Sequence, residues 1–271
     1  MIIADSHMHS TFSTDSKIPP KDLAEKAIKQ GLQIITITDH MDCEWTVDPT
    51  QYIFDENEYI PFMRKLAEEY AGRLDIRCGM EFGFRNEEDV VAKIDKRWNE
   101  LKGLDFDFII GSTHLYDYGD PYYPEFWEGH STYERLRQYY EATLFNVTHY
   151  KDYDIYGHLD YAARYVPKDS HIEPTRFLSI IEEILKTIIK DGKGLEINTS
   201  RLNKGFSVPN PHPMILKLYK ALGGEIITVG SDAHKVEFVC GNFDRAREIL
   251  LDCGFKYYAA FKNHKPEFYE L

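Results

Sequence analysis

Short apolar runs alternate with amphipathic stretches along the whole sequence, and this alternation limits the possible folds more than any other feature. The runs are rich in β-branched residues or are flanked by glycine, as strands often are. They are Ile2–Ala4, Ile34–Thr38, Ile76–Met80, Phe106–Gly111, Tyr153–Gly157, Gly194–Asn198, Ile226–Gly230 and Tyr257–Phe261. Helical patterns separate them, such as the one that begins at Pro20 and stops at Gly31. Repeated strand–helix units predict a parallel sheet, either open or closed into a barrel.

Size and charge narrow the class of protein further. The chain has 271 residues, of which 43% are hydrophobic, so it can bury a sizeable core. Its formal charge of -13 argues against nucleic acid or an anionic membrane as the partner, although a local site could still bind a small anion. The four cysteines form no C-x-x-C motif, and neither a signal-peptide pattern nor an apolar run of transmembrane length is visible. We therefore expect a cytoplasmic protein with reduced thiols.

Histidines and carboxylates cluster where the predicted strands end. His7 and His9 are separated by one residue, so on a strand both point to the same side. The full set of such residues is His7, His9, His40, Glu81, His114, His158, Asp232 and His234. In a β/α barrel the carboxyl ends of the strands form the edge where sites are built. The other histidines, His130, His149, His171, His212 and His264, are not at strand ends and are expected to be structural.

Metal ions explain this set better than a structural role does. A single histidine is more often structural than a ligand, but burying all eight polar groups without partners would cost several kcal/mol. A zinc-type ion takes about four ligands, so eight donors exceed one site, and Glu81 could bridge two ions. Eight candidate ligands are therefore enough for two or three metal ions. Clustered metals suit the hydrolysis of phosphate esters, because they generate hydroxide near neutral pH and bind phosphoryl oxygens.

The strand-end fragments resemble the successive motifs of the PHP (polymerase and histidinol phosphatase) superfamily. The fragments are D-S-H-M-H-S, I-T-D-H, G-M-E, G-S-T-H, G-H-L-D and G-S-D-A-H, and they extend from residue 5 to residue 234. The resemblance implies a distorted (β/α)7 TIM-like barrel over residues 1–271 as a single domain. It also implies a centre of three divalent ions, Zn, Mn or Fe, at the C-terminal edge of the strands.

The same resemblance implies a ligand for each position of that centre. The implied ligands are His7, His9 and Asp232 for the first ion, His114 and His158 for the second, Glu81 as a bridge between the two, and His40 and His234 for the third. Some members add a histidine from the loop after the first strand. This sequence offers Asp15 instead, whose alternative role is a helix-cap or turn carboxylate.

Two arginines and an aspartate are candidates for binding the phosphate and for transferring a proton, the two roles that the metal ions leave open. Arg164 follows the fifth predicted strand and Arg201 the sixth, and a guanidinium suits a phosphate because its donors are planar and bidentate. Either could instead be a surface arginine. Asp42, two residues after His40, could protonate the leaving oxygen or orient a ligand histidine.

The aromatic loop after the fourth strand offers residues that could cover a substrate. Tyr122, Tyr123 and Trp127 lie in this loop, where they could also serve only to pack it. The loop and the segments R-Y-V-P and T-S-R-L-N look like those of monofunctional histidinol-phosphatases. This implies hydrolysis of L-histidinol phosphate, a small-molecule phosphate monoester of histidine biosynthesis. The alternatives are a nucleotide or oligonucleotide phosphoesterase of the same superfamily, and a non-catalytic metal-binding regulatory domain.

Overall fold

Strands and helices alternate along the chain, as the sequence predicts. The computed structural model describes residues 1–168, 170 and 172–271, so His171 lies outside the described residues. The strands are β1 Ala4–Asp5, β2 Ile34–Ile37, β3 His40–Met41, β4 Asp75–Gly83, β5 Phe108–Ser112, β6 Ile155–Tyr156, β7 Gly194–Asn198, β8 Ile227–Gly230, β9 Tyr257–Lys262 and β10 Lys265–Glu270. The helices are α1 Pro20–Lys29, α2 Glu56–Glu69, α3 Glu88–Leu101, α4 Thr132–His149, α5 Leu178–Lys190, α6 Ser200–Asn203, α7 Pro213–Ala221 and α8 Phe243–Asp252.

Seven parallel strands form a sheet that curls into a nearly closed barrel. Their order is β1-β2-β4-β5-β6-β7-β8, with the short strand β3 also paired to β4. Residues at or just past the C-terminal ends of β1 and β8 close the remaining gap. The Ser6 N–H donates to the Val229 carbonyl at 2.9 Å, and the Asp232 N–H donates to the His7 carbonyl at 2.8 Å. The predicted seven-stranded, distorted TIM-like barrel is confirmed.

Strand β4 extends further than its apolar run predicts. The sequence ends this strand at Met80 and places Glu81 beyond it, whereas the structure keeps Glu81 inside β4. Glu81 pairs in register with His40 of β3 on one side and with Ile110 of β5 on the other. A charge normally ends an apolar run, but here the carboxylate projects into the barrel, where it has partners. Strand β3 has no apolar run of its own and therefore could not be predicted from the sequence pattern.

The barrel has one apolar end and one polar end. Helix α5 packs a stripe of buried isoleucines against the outside of the sheet, and Leu195 and Ile197 of β7 belong to the same core. At the N-terminal end, Ala259 and Phe261 of β9 pack against inward-facing residues such as Phe108. The β9–β10 hairpin thus covers that end. Polar side chains that enter the barrel must therefore collect at the C-terminal edge.

The described part of the chain contains neither a membrane-spanning helix nor a disulfide bond. None of its helices combines the length and the apolar character that crossing a bilayer requires. Cys43, Cys78, Cys240 and Cys253 are all free thiols. The thiol assignment agrees with the expectation from the sequence.

Helix α8 offers a matched pair of substitutions that tests the packing of the barrel. Leu250 is fully buried, whereas its neighbour Leu251 is 43% exposed. Leu250→Ala leaves a cavity and should lower the free energy of unfolding by about 2–5 kcal/mol. Leu251→Ala should change it by less than about 0.5 kcal/mol. Urea denaturation followed by circular dichroism measures both, and equal losses would contradict the placement of α8.

Candidate metal centre

The histidines and carboxylates that follow the predicted strands lie together at the C-terminal edge of the barrel. Their donor atoms form four overlapping groups, and within each group the atoms lie within 4.8 Å of one another. The groups are His7–His9–Asp232, His7–Glu81–His158, His40–Glu81–His114 and His9–His40–His234. Because consecutive groups share a residue, the donors form one continuous cluster rather than separate sites.

The first part of the cluster surrounds the two histidines that follow β1. The Nε2 atom of His7 lies 3.1 Å from Nε2 of His9 and 3.1 Å from Oε2 of Glu81. Oδ1 of Asp232 lies 3.3 Å from Nε2 of His9. His7 and His9 are fully buried, and Asp232 is nearly so. The strand spacing of two therefore brings both imidazoles to the same carboxylates.

The second part of the cluster uses the other oxygen of Glu81. Oε1 of Glu81 lies 2.8 Å from Nε2 of His158 and 3.2 Å from Nε2 of His114. The two histidine nitrogens are 3.3 Å apart. Glu81 thus faces one group of histidines with Oε2 and another with Oε1, which is the arrangement that a bridging carboxylate requires.

The third part lies closer to solvent and includes Asp15. The ring of His9 stacks against those of His40 and His234, with both centroid distances at 4.2 Å, and the latter two rings are 5.7 Å apart. Oδ2 of Asp15 lies 3.0 Å from Nε2 of His234 and 3.6 Å from Nε2 of His40. Asp15 makes no helix-cap contact, since α1 has no side-chain cap. The structure therefore brings Asp15 to the histidines, as the resemblance implies.

Two buried carboxylates orient the ligand histidines from behind. Nδ1 of His7 donates to Oε1 of Glu196 at 2.7 Å, and Nδ1 of His114 donates to Oδ1 of Asp42 at 2.7 Å. Each bond fixes the ring with Nε2 turned toward the cluster and available as a ligand. Glu196 was not predicted from the sequence. The only signal for it is a charge inside the apolar run G-L-E-I-N of β7.

A third carboxylate, also not predicted, holds the loop after β1. Asp39 accepts hydrogen bonds from the Ser10 N–H at 2.6 Å and from the Ser10 and Ser13 hydroxyls at 2.7 Å each. Ser13 also accepts from the N–H of His40 at 2.9 Å. This network fixes the path of the loop that carries His9 and Asp15.

Glycines leave the space that these carboxylates occupy. A Cβ atom on Gly230 would lie 2.2 Å from Oε1 of Glu196 and 2.5 Å from Cβ of His7. A Cβ atom on Gly83 would lie 1.8 Å from Oδ1 of Asp42. All three distances are far below van der Waals contact, so the glycines of the β8 and β4 motifs permit the packing of the orienting carboxylates.

The carboxylates of the cluster, Asp15, Glu81 and Asp232, have lowered pKa values and are anionic, which favours the binding of cations. Burial, together with the neighbouring His234 and His40, lowers the pKa of His9 to about 3, so this ring is neutral at physiological pH and offers a lone pair. Burial alone would raise the pKa of Glu81, but the charges of His7 and His114 hold it well below its usual range. The carboxylates around His7, His40 and His114 outweigh burial and raise the pKa of these three rings, to about 10 for His114, so a divalent ion bound there would replace their protons. Imidazole nitrogens and carboxylate oxygens are the donor types that zinc, manganese and iron accept.

Buried atoms without partners support the same conclusion. Nδ1 of His158 is buried and has no hydrogen-bond partner among the described residues, whereas Nδ1 of His40 and Oδ2 of Asp42 are buried, lack hydrogen-bond geometry and lie 3.1 Å apart as an ion pair. Leaving such atoms unsatisfied costs about 1–3 kcal/mol each in an apolar interior. The donor set of the cluster therefore fits divalent ions, which would compensate the clustered carboxylates.

A cavity of about 510 Å³ opens over the cluster. Arg164 lines it, and its side chain is only 6% exposed. Its Nε donates to Oδ1 of Asn210 at 3.0 Å and its Nη1 lies 3.6 Å from Oδ2 of Asp232, whereas Nη2 has no partner among the described residues. Tyr122 lines the same cavity at its exposed rim. Both sequence-predicted contacts thus lie where a ligand of the cluster would be.

Arg201 and Trp127, which the sequence also predicts at the substrate, do not line the cavity. The Arg201 guanidinium lies over the ring of Phe206, 4.7 Å from its centroid. Trp127 is buried within its own loop and donates from Nε1 to the Pro121 carbonyl at 2.8 Å. The loop-packing alternative therefore accounts for Trp127, because its short 3₁₀ helix turns the indole toward the loop interior.

A parallel α/β barrel with a buried histidine–carboxylate cluster at its C-terminal edge is typical of metal-dependent hydrolases. The chain belongs to the PHP domain family, whose model matches residues 5–200.

Its relatives are similar over nearly their whole length. A protein of Clostridium acetobutylicum described as a probable histidinol-phosphatase is 30% identical, over 99% of this chain and 97% of the relative. The histidinol-phosphatase of Lactococcus lactis is 32% identical, over 96% of this chain and 95% of the relative. A crystal structure is known for a histidinol phosphate phosphatase from Lactococcus lactis complexed with zinc, L-histidinol and phosphate. It superimposes on this chain with a TM-score of 0.83 and 30% sequence identity. The match covers 97% of this chain and 98% of that one.

The role of Glu196 can be tested by metal affinity. In Glu196→Gln the acceptor for His7 loses its charge, so we expect zinc affinity to fall roughly 10- to 100-fold. Competition with a chromophoric chelator measures the affinity directly. Glu183→Gln, an exposed position on α5, is the matched control and should bind zinc like the parent. Equal affinities for all three proteins would show that Glu196 does not orient the ligand.

Proposed function

We propose that the protein is a metal-dependent histidinol-phosphatase that hydrolyses L-histidinol phosphate to L-histidinol and phosphate. The observation that carries the proposal is the buried donor cluster at the floor of a cavity that Arg164 also lines. The cavity volume suits a small phosphate monoester. The Lactococcus lactis phosphatase, which shares the fold, binds zinc, L-histidinol and phosphate. The chain works as one barrel domain over residues 1–271, in the cytoplasm.

The cluster would hold three divalent ions, zinc, manganese or iron. His7, His9 and Asp232 form one set of ligands, His114 and His158 a second, and His40, His234 and Asp15 a third, with Glu81 shared between the first two. When bound, such ions lower the pKa of water toward neutrality and neutralise charge on a phosphoryl group.

Arg164 binds the phosphate of the substrate. Its guanidinium is held in place by Asn210 and by the ring of Tyr161, whose centroid lies 4.9 Å from Cζ. The unpartnered Nη2 is then free to donate to a phosphoryl oxygen, both in the bound substrate and as charge develops during hydrolysis. Tyr122 lies at the rim, where it can cover the bound substrate.

Asp42 positions ligand histidines rather than protonating the leaving group. Its Oδ1 accepts from His114, and its Oδ2 lies 3.1 Å from Nδ1 of His40. Burial would raise the pKa of Asp42, but the charge and hydrogen bond of His114 hold it below its usual value. An ionised carboxylate with both oxygens turned toward histidines has no proton to give, so a water molecule in the open cavity is the better acid.

A substrate panel tests the proposed activity. Phosphate release should be measured on metal-reconstituted protein with L-histidinol phosphate, a nucleoside monophosphate, an oligonucleotide and an aryl phosphate. We expect kcat/KM to be many-fold higher for L-histidinol phosphate than for the other three. Preference for a nucleotide or oligonucleotide would favour the alternative substrate class. Release from none of them would favour a non-catalytic metal-binding domain and contradict the proposal.

The two arginines predicted from the sequence should now behave differently. Arg164→Ala removes a charged hydrogen-bond donor from the cavity and should lower kcat/KM roughly 10- to 100-fold. Arg201→Ala should cause a smaller loss, because Arg201 does not line the cavity. Steady-state kinetics with L-histidinol phosphate, together with metal content to verify an intact centre, measures both. Equal losses would place Arg201 at the substrate and contradict the geometry.

A further inference from the structure

Asp120 is a buried carboxylate in the cavity wall that the proposed chemistry leaves unused. Its side chain lines the cavity, yet the residue is only 7% exposed. Oδ1 accepts the Tyr122 N–H at 2.8 Å. Oδ2 has no hydrogen-bond partner, and no lysine or arginine pairs with the carboxylate, among the residues that the structure describes.

The lack of a cation is unusual for a carboxylate in this position. Asp117, three residues earlier in the same loop, is more exposed and is paired with Arg135. Burial raises the pKa of Asp120 to about 6, although the Tyr122 N–H and the charge of His114 oppose the shift. An unpaired buried carboxylate is costly, so its retention in a ligand cavity indicates that a ligand supplies the missing charge.

The loop holds Asp120 in a defined place. Tyr116 and Gly119 exchange backbone hydrogen bonds at 3.1 and 3.2 Å, which closes a tight turn immediately before Asp120. Gly119 packs directly on Phe126, since a Cβ atom there would lie 2.3 Å from that ring. The carboxylate is therefore presented to the cavity by a packed turn.

Aromatic rings surround the same part of the cavity. Tyr165 packs against Tyr161 and Tyr122, with centroid distances of 5.2 and 5.6 Å, and all three line the cavity together with Asp120. Aromatic faces attract organic cations. A free carboxylate among tyrosines is thus suited to an ammonium group, while Arg164 suits the phosphate of the same molecule.

We propose that Asp120 binds the protonated amine of the substrate and thereby selects amino-alcohol phosphates over phosphate monoesters that lack an amine. This inference rests on the proposed function, because L-histidinol phosphate carries both groups. At neutral pH an aliphatic amine is protonated to a greater extent than an imidazole, so the amine is the permanent cation of such a substrate. Asp120 is therefore a specificity-determining residue, and the reaction at phosphorus does not need it.

The test uses three proteins, namely the parent, the variant Asp120→Asn and the control Glu128→Gln, and assays each with two substrates. Asn keeps the shape of the side chain and an acceptor for the Tyr122 N–H, and Glu128 is an exposed acid of the same loop that does not line the cavity. The substrates are L-histidinol phosphate and the analogue in which hydrogen replaces the amine. We expect Asp120→Asn to raise KM for L-histidinol phosphate roughly 10- to 100-fold, with kcat and the analogue little changed. Glu128→Gln should match the parent on both substrates.

A second measurement does not depend on catalysis. Calorimetric titration of the metal-reconstituted proteins with L-histidinol should show weaker binding to Asp120→Asn by a similar factor. Circular dichroism verifies that the variant is folded, and Asp120→Glu, which restores the charge, should recover part of the affinity.

The outcomes separate this inference from the proposed function. If the parent fails to prefer L-histidinol phosphate in the panel, the proposed function fails, and the L-histidinol titrations still test Asp120. If the parent shows the preference but Asp120→Asn changes neither KM nor affinity, the inference is overturned. An equal fall in kcat for both substrates would overturn it as well, because it would place Asp120 in proton transfer to the leaving group.

Discussion

The buried carboxylate of Glu81 is the constraint on which the rest of the centre depends. It lies near the C-terminal end of strand β4, is fully buried and has five histidine rings within 3.5 Å of its oxygens. A carboxylate in such a place costs several kcal/mol unless cations and hydrogen bonds compensate it. The surrounding strand ends supply histidines in place of the leucines and isoleucines that occupy the apolar end of the barrel. The C-terminal edge of the barrel is therefore suited to binding cations.

The barrel delivers these groups through its topology. Closure between the ends of β1 and β8 brings His7 and His9 next to Asp232, although these residues are more than two hundred positions apart in sequence. The orienting carboxylates occupy the space behind the ligands, and Gly83 and Gly230 make that space available. The C-terminal hairpin covers the opposite end, so the polar centre opens to solvent on one side only. The fold therefore determines both where the ions would bind and from which direction a substrate reaches them.

Much of this arrangement could be predicted from the sequence, because strand periodicity and the parallel topology together decide which residues share an edge. The ligand histidines were predictable in this way, since each follows an apolar run. Glu196 and Asp39 were not, because their roles depend on partners that are remote in sequence and their types carry no motif. Glu81 is predicted as a ligand, but the predicted strand stops at Met80, whereas β4 continues to Gly83. The reason is that a charged residue that faces into the barrel cannot be distinguished in the sequence from one that follows a strand.

The loops were the least predictable part of the site. Trp127 and Arg201 both follow predicted strands, yet side-chain direction in an irregular segment depends on local turns that periodicity does not describe. The same reason explains why Asp120 gave no signal. Its presentation to the cavity depends on the turn between Tyr116 and Gly119 and on the packing of Phe126. Candidate metal ligands at strand ends can thus be predicted from the sequence, whereas candidate substrate contacts on loops require the structure.

The central claim is that the donor cluster is a multinuclear metal centre organised by Glu81. The most direct measurement is the number of ions that each chain retains. Protein stripped with a chelator is reloaded with zinc, freed of excess metal and subjected to elemental analysis. The cluster geometry predicts three tightly held ions per chain, and fewer in Glu81→Gln, which removes the shared carboxylate. A single ion per chain, or an equal number in Glu81→Gln, would contradict this account.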